Sequence, residues 1–177
     1  AAMSHVGISY FTGEATLNIN TVASYRIQES ILRNHKRCKF YQASSSEMFG
    51  SSPPPQNEKT PFNPISPYAE AKLENHLKVI ELSNDFNWNI KSGIMFNHES
   101  EFRKDNYLFS KVIKSAIEIK SGIRESLTIG SLDYERDWSF AGDIVDATYL
   151  IINKGKQPTY VIGSGTSNKI KDLMLRL

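Results

Sequence analysis

A tyrosine and a lysine stand four residues apart in the segment Tyr68-Ala69-Glu70-Ala71-Lys72. Residues at this spacing lie on one face of a helix, so the ammonium group can lie close to the phenol oxygen. A free phenol has a pKa near ~10 and is a poor base at neutral pH, but a fixed cation nearby favours the phenolate. The spacing therefore makes Tyr68 a candidate acid/base, although many helices carry such a pair without any catalytic role.

A second candidate is the serine cluster that begins the segment Ser44-Ser45-Ser46-Glu47. It follows a short apolar and aromatic run and precedes a proline-rich stretch. A hydroxyl at the end of a parallel strand faces the crevice where α/β proteins bind ligands, and it can bond to a reacting alcohol or carbonyl. Serines in loops are more often turn formers, so the cluster gains meaning only from what surrounds it.

The hydrophobic pattern predicts the elements that position these residues. We predict helices over Ala15–Leu32, Tyr68–Leu82, Asn106–Ile119 and Asp143–Asn153 and from Ile170 to Leu177, and strands over Lys39–Ala43, Ile90–Asn97, Ser126–Ile129 and Thr159–Ile162. Six of the seven prolines lie between Ser51 and Pro67, so that segment is an extended or turning loop. Strands separated by helices imply a parallel sheet with crossover helices, so the predicted class is α/β.

Composition excludes several classes of function. The 21 Lys and Arg residues against 19 Asp and Glu are spread along the chain, so we expect no nucleic-acid partner. No apolar run approaches the ~20 residues that span a bilayer, so we expect no membrane segment. The lone Cys38 cannot form an internal disulfide, which favours a cytoplasmic protein. His98 and Glu99 would point to opposite faces of an extended segment, so we expect no metal site.

Several blocks resemble, in order and across nearly the whole chain, the extended short-chain dehydrogenases/reductases that act on nucleotide sugars. They are Ala1 to Val6, Ser45-Ser46-Glu47 ending in Phe49-Gly50, Ser66-Pro67-Tyr68 with Lys72, Asn97-His98-Glu99-Ser100, and Tyr134-Glu135-Arg136-Asp137-Trp138. The last two are similar to GDP-mannose 4,6-dehydratases in particular. The resemblance implies a Rossmann-like fold, in which 1–100 form part of a dinucleotide-binding domain and 101–177 part of a substrate region.

The resemblance also implies a role for each matching residue. Tyr68 would take the proton from the sugar O4 while a hydride leaves C4 for oxidised NADP, with NAD as a second possibility. Lys72 would be its electrostatic partner and a ribose contact, Ser45 would align O4, and Glu47 would remove the C5 proton before water leaves C6 and the hydride returns there. Cofactor contacts would come from Tyr68, Lys72, His98 and Arg103, and nucleotide-sugar contacts from Ser46, Asn97, Lys111 and Arg136.

The sequence departs from the family pattern in two places. The usual opening strand and Gly-rich turn are not found, and Gly163-Ser164-Gly165 lacks the third glycine, so it predicts a plain turn. Glu101 and Phe102 stand where proline and arginine are expected, and Lys104 where glycine is expected. We therefore expect a partial form that binds nicotinamide cofactor weakly or not at all and that pairs with copies of itself as a homo-oligomer.

Two other readings stay open. The first is a different nucleotide-sugar 4,6-dehydratase or a 4-epimerase. Ser46-Glu47 argues against the dTDP- and UDP-sugar dehydratases, which more often carry an Asp-Glu pair there, and a 4-epimerase has no use for the Glu47 carboxylate. The second is a non-catalytic remnant that serves as a binding or assembly module, which only the missing phosphate-binding turn favours.

Overall fold

The structure is a computed structural model and describes residues 2–176. Its helices are α1 (Val6–Ser9), α2 (Gly13–Leu17), α3 (Ala23–Asn34), α4 (Pro67–Phe86), α5 (Leu108–Lys120), α6 (Ala141–Lys154) and α7 (Ile170–Met174). Its strands are β1 (Phe40–Ser45), β2 (Ile90–Met95), β3 (Asn97–Glu99), β4 (Glu135–Phe140), β5 (Thr159–Ile162) and β6 (Ser167–Lys169). A π-helical turn, Asn18–Val22, joins α2 to α3, and a 3-10 turn, Ser46–Phe49, follows β1.

The chain divides into two compact units. The first contains the residues up to Met95 together with Asp146–Ile162. Its sheet has the order β1-β2-β5 with all strands parallel, and Phe40 pairs with Ile90 at the start of the β1–β2 register. Since α4 connects β1 to β2, it is the crossover helix that parallel pairing requires. The predicted α/β class with a parallel sheet and crossover helices is confirmed.

Helix α4 has the sequence signals of both a start and a stop. The Ser66 hydroxyl accepts a hydrogen bond from the Ala69 amide at 3.1 Å, and Pro67 occupies the first turn, where its missing N–H costs nothing. At the other end Asn87 adopts a left-handed conformation with φ of 46°. The apolar face of the helix meets the sheet in a core formed by Val79, Leu82, Trp88 and Ile90.

The second unit contains Phe96–Val145 and the residues from Gly163 on. In it β3 pairs with β4 in parallel, and β4 pairs with β6 in antiparallel. Helix α5 contributes Phe109, whose ring meets the edge of Trp138 with centroids 5.2 Å apart. This aromatic contact joins α5 to the central strand of the small sheet.

One predicted strand is wrong, and one predicted helix is confirmed with an irregular turn inside it. The predicted strand Ser126–Ile129 has no regular structure and pairs with none of the described strands. The helix predicted over Ala15–Leu32 is helical from Gly13 to Asn34, but the π turn interrupts it. The end of the last predicted helix, Leu177, lies outside the described residues.

None of the helices between residues 2 and 176 combines the length and the hydropathy that crossing a bilayer requires. In the same part of the chain, no three His, Cys, Asp or Glu side chains come together in a way that could hold a metal ion.

Candidate active site

Tyr68 and Lys72 lie in the first turns of α4, and both side chains are nearly buried. The Lys72 Nζ lies 5.6 Å from the centroid of the Tyr68 ring and donates a hydrogen bond to the Ala43 carbonyl at 2.9 Å. The Tyr68 amide donates to the Ser9 hydroxyl at 3.2 Å, which ties the start of α4 to α1. The ammonium therefore lies near the phenol ring and contacts the end of β1 at the same time.

Burial lowers the pKa of the Lys72 ammonium below its usual value, because the charged form loses its hydration. Among the described residues its side chain makes one hydrogen bond, to Ala43. An ammonium group has three N–H donors. Lys72 can therefore still donate to a polar ligand at this end of the sheet.

The segment Ser45–Glu47 carries a hydroxyl and a carboxylate two residues apart. Ser45 ends β1, and its Oγ accepts a hydrogen bond from the Glu47 amide at 3.3 Å, which begins the 3-10 turn. The turn ends at Gly50, whose φ is +52° and whose amide donates to the Glu47 carbonyl at 3.1 Å. Ser45, Ser46 and Glu47 are each half-buried, so a ligand can reach them.

We predict that Gly50→Ala destabilises the protein more than Gly122→Ala does. Both glycines have positive φ, which costs a non-glycine residue about 1 kcal/mol or more. A Cβ on Gly50 would also collide with the Asn63 carbonyl oxygen, whereas a Cβ on Gly122 would meet open space. Backbone cannot rotate away as a side chain can, so the total cost at Gly50 is about 3 kcal/mol. Urea unfolding of both variants measures the difference, and equal midpoints would contradict it.

The first of the remaining candidates lie on and after β3. The Nδ1 of His98 lies 3.0 Å from the Phe96 carbonyl, which assigns the ring proton to that nitrogen. The Arg103 guanidinium pairs with the Glu99 carboxylate at 3.2 Å and lies 3.6 Å from the centroid of the Tyr107 ring. Burial raises the pKa of Glu99, and the charges of Arg103 and His98 oppose that rise. Arg103 is thus held in place by contacts on two sides.

Lys111 and Arg136 are exposed. Lys111 Nζ donates to the Thr128 carbonyl at 3.3 Å, and Arg136 donates to the Glu135 carbonyl at 2.8 Å. The structure brings five of the predicted site residues into the first unit and five into the second. The first five are Ser45, Ser46, Glu47, Tyr68 and Lys72, and the second five are Asn97, His98, Arg103, Lys111 and Arg136.

Sequence reasoning missed Asp137, a buried carboxylate in β4. It accepts hydrogen bonds from the Ser164 amide at 2.9 Å, the Ser164 hydroxyl at 2.7 Å and the Gly165 amide at 2.8 Å. The Gly163–Gly165 turn is therefore held by a carboxylate from a neighbouring strand. Nothing in the local sequence pattern around Asp137 indicated these donors.

A buried chain of hydrogen bonds connects α4 and β2 to Ser44, the first residue of the serine cluster. His76 Nδ1 lies 2.8 Å from the Ser92 Oγ, which lies 2.7 Å from the Ser44 Oγ, and each of the three residues is at most 2% exposed. Burial lowers the pKa of His76 from 6.5 to about 4. The imidazole is therefore neutral in the folded protein at physiological pH.

The same shift predicts a loss of stability in mild acid. Between pH 6.5 and about pH 4 the unfolded chain binds a proton at His76 that the folded chain does not, so the free energy of unfolding falls as pH falls through this window. The loss reaches about 2 kcal/mol at about pH 5 relative to pH 7.5. Urea unfolding at both pH values should show a larger drop for the wild type than for His76→Asn. Equal drops would contradict the neutral buried imidazole.

Comparison with known proteins adds the evolutionary context. The family model described as GDP-mannose 4,6 dehydratase matches residues 1–176. The chain is 37% identical to "GDP-mannose 4,6 dehydratase 1" of Arabidopsis thaliana, covering 98% of this chain and 49% of that protein. It is 36% identical to the human GDP-mannose 4,6 dehydratase, covering 98% and 47%. The chain thus spans about half the length of the curated relatives that it matches.

Solved structures share the fold at lower identity. RMD from Pseudomonas aeruginosa, complexed with NADPH, superposes with a TM-score of 0.93 at 22% identity, covering 99% of this chain and 62% of that one. The dTDP-glucose 4,6-dehydratase from Bacillus anthracis, in complex with NAD, gives 0.82 at 20% identity, covering 99% and 53%. These likenesses support the Rossmann-like fold. Because the family model matches essentially the whole sequence, this chain belongs to the GDP-mannose 4,6-dehydratase family.

Proposed function

We propose that the protein converts GDP-mannose to GDP-4-keto-6-deoxymannose, as a nucleotide-sugar 4,6-dehydratase. The observation that carries the proposal is the 2.9 Å hydrogen bond from Lys72 to the Ala43 carbonyl. It joins the helix face that carries Tyr68 to the strand end that leads into Ser45–Glu47. Base, cation, hydroxyl and carboxylate therefore belong to one end of one parallel sheet, where α/β proteins bind ligands.

Three residues act on the sugar O4, namely Tyr68, Lys72 and Ser45. The phenolate takes the O4 proton, and the nearby Lys72 ammonium stabilises the negative oxygen. The Ser45 hydroxyl bonds to O4 and holds it in place while the C4 hydrogen is lost. Removal of the proton from O4 and of the hydride from C4 leaves a ketone at C4.

Glu47 acts on the next carbon. The C4 ketone acidifies the C5 hydrogen, and the Glu47 carboxylate takes that hydrogen as a proton. The electron pair left on C5 expels the C6 hydroxyl. That hydroxyl takes up one proton and leaves as water. A second proton later returns to C5. Glu47 lies two residues past Ser45 on a short turn, so the carboxylate and the hydroxyl can address adjacent carbons of one ring.

The residues present fit a nicotinamide dinucleotide, NADP or NAD. Lys72 has N–H donors beyond its bond to Ala43, and the diol of a ribose offers matching acceptors. When bound there, a nicotinamide would supply the acceptor for the C4 hydride and the source of the hydride for C6. We propose His98 and Arg103 as further cofactor contacts. The bound NADPH and NAD named for the two solved structures support this choice.

For the nucleotide sugar we propose contacts from Ser46, Asn97, Lys111 and Arg136. Lys111 and Arg136 are exposed cations, and the planar fork of an arginine suits diphosphate oxygens. We propose that residues 1–100 form part of a dinucleotide-binding domain and that residues 101–177 form part of a substrate region. We also propose that the protein is cytoplasmic and forms a homo-oligomer. The exposed apolar side chains of Ile19, Val22 and Ile27 support the homo-oligomer.

Product analysis tests the proposed function. The protein in its full natural length is incubated with NADP and GDP-mannose, and in parallel with dTDP-glucose and UDP-glucose. We expect a product of GDP-mannose that has lost one water, and little from the other two sugars. A product of unchanged mass would identify an epimerase. No product under conditions in which the Arabidopsis relative is active would overturn the proposal.

A further inference from the structure

His76 lies one helical turn after Lys72 on α4 and is 1% exposed. Its Nδ1 contacts the Ser92 hydroxyl of β2 at 2.8 Å, and that hydroxyl contacts the Ser44 hydroxyl at 2.7 Å. Ser44 directly precedes Ser45. We call His76, Ser92 and Ser44 the polar arm, and it ends at the first residue before the candidate catalytic segment.

The same imidazole also reaches the other end of that segment. Its ring meets Phe62 edge-on with centroids 5.1 Å apart, and Phe62 stacks on Phe49 at 5.4 Å. Phe49 is the last residue of the 3-10 turn, two residues past Glu47, and is fully buried. We call His76, Phe62 and Phe49 the aromatic arm.

The polar arm restricts movement because all three of its groups are buried. A hydroxyl group donates a single hydrogen bond, so Ser92 and Ser44 each have to keep a partner within hydrogen-bond distance. If the end of β1 moved, a buried polar atom would lose its partner, and such a loss costs more than an exposed hydrogen bond would. The aromatic arm resists movement by packing, since a displaced Phe49 would leave a void.

We propose that His76 is a positioning residue, which holds Ser45–Glu47 in place through the polar arm on one side and the aromatic arm on the other. The inference rests on the proposed function, because Ser45 and Glu47 are its candidate catalytic groups. Misplacement of a reacting group by about 1 Å costs about 10²-fold in rate. A partial loosening from one arm should cost less than that.

Two substitutions separate the arms. His76→Phe keeps a ring against Phe62 but cannot bond to Ser92, whereas His76→Asn keeps a polar atom for Ser92 and lacks the ring. Each should lower kcat for GDP-mannose about tenfold with KM changed by less than about twofold, because the loss falls on the transition state. Ser44→Ala, a milder change at the far end of the polar arm, serves if His76→Phe does not fold.

Val79→Ala is the matched control. Val79 is fully buried on the same helix and packs in the core with Leu82, Trp88 and Ile90, and it belongs to neither arm. It should destabilise the protein as much or more, while kcat stays within about twofold of wild type. If the His76 variants lower kcat no more than Val79→Ala does, His76 is only structural and the proposal is overturned.

Amide hydrogen exchange gives a readout that needs no turnover. His76→Phe should speed exchange of the Glu47 amide, which bonds to the Ser45 hydroxyl, by about tenfold or more, whereas Val79→Ala should not change it selectively. Unchanged exchange at Glu47 would overturn the inference. If the wild type fails to turn over GDP-mannose, the proposed function fails, and exchange still decides whether His76 holds the segment.

Discussion

Tyr68→Phe is expected to lower kcat for GDP-mannose dehydration by about 10³-fold, the scale of a lost general acid/base. Phenylalanine keeps the ring beside the Lys72 ammonium and the packing of the buried side chain, so the protein should fold as before. The substitution removes only the oxygen that we propose takes the O4 proton. Steady-state kinetics with GDP-mannose measures the effect, and KM should change little because the loss falls on the chemical step.

Tyr25→Phe is the matched control for this prediction. The hydroxyl of Tyr25, a half-buried residue of α3, donates to the Glu74 carbonyl of α4, so Tyr25→Phe makes the same change of one oxygen at a residue outside the candidate site. Its kcat should stay within about twofold of wild type. If Tyr68→Phe keeps more than a tenth of the wild-type kcat, the phenol is not the base at O4.

Glu47→Gln should lower the rate of water loss by a similar factor, about 10²-fold to 10⁴-fold, because an amide cannot take the C5 proton. The side chains have the same shape, and the amide of residue 47 can still bond to the Ser45 hydroxyl, so the turn should persist. In D2O the wild-type product should carry deuterium at C5, from the proton that returns there. Mass spectrometry of the product measures both the yield and the label.

Glu70→Gln supplies the control, since Glu70 is exposed on α4 between Tyr68 and Lys72 and carries the same carboxylate. It should leave yield and label unchanged. A Glu47→Gln variant that still makes labelled product at the wild-type rate would show that another group removes the C5 proton.

The sequence predicted those features that depend on spacing within one element. Tyr68 and Lys72 share a helix face because residues four apart always do, and their helix carries its own Ser-Pro start signal. The presence of β1 was predictable from its apolar run, but the strand continues past the predicted end at Ala43 through Ser44 and Ser45. The parallel pairing followed from strands that alternate with helices.

Contacts between distant residues were not predictable from one sequence. Ser44 and Ser92 are 48 positions apart, and only the β1–β2 register brings their hydroxyls together. His76 was passed over because a lone histidine in a helix carries no local signal. Strand β4, Glu135–Phe140, was missed because its first three residues are charged. Its pairing on both sides decides its structure more than its composition does.

We propose that one sugar stays in place while Tyr68, Ser45 and Glu47 act on adjacent carbons. GDP-mannose that carries deuterium at C4 tests this most directly. We predict that the deuterium appears at C6 of a 4-keto product, since the hydride removed at C4 is returned within the same bound molecule. Deuterium that stays at C4, or that is lost to water, would contradict the account.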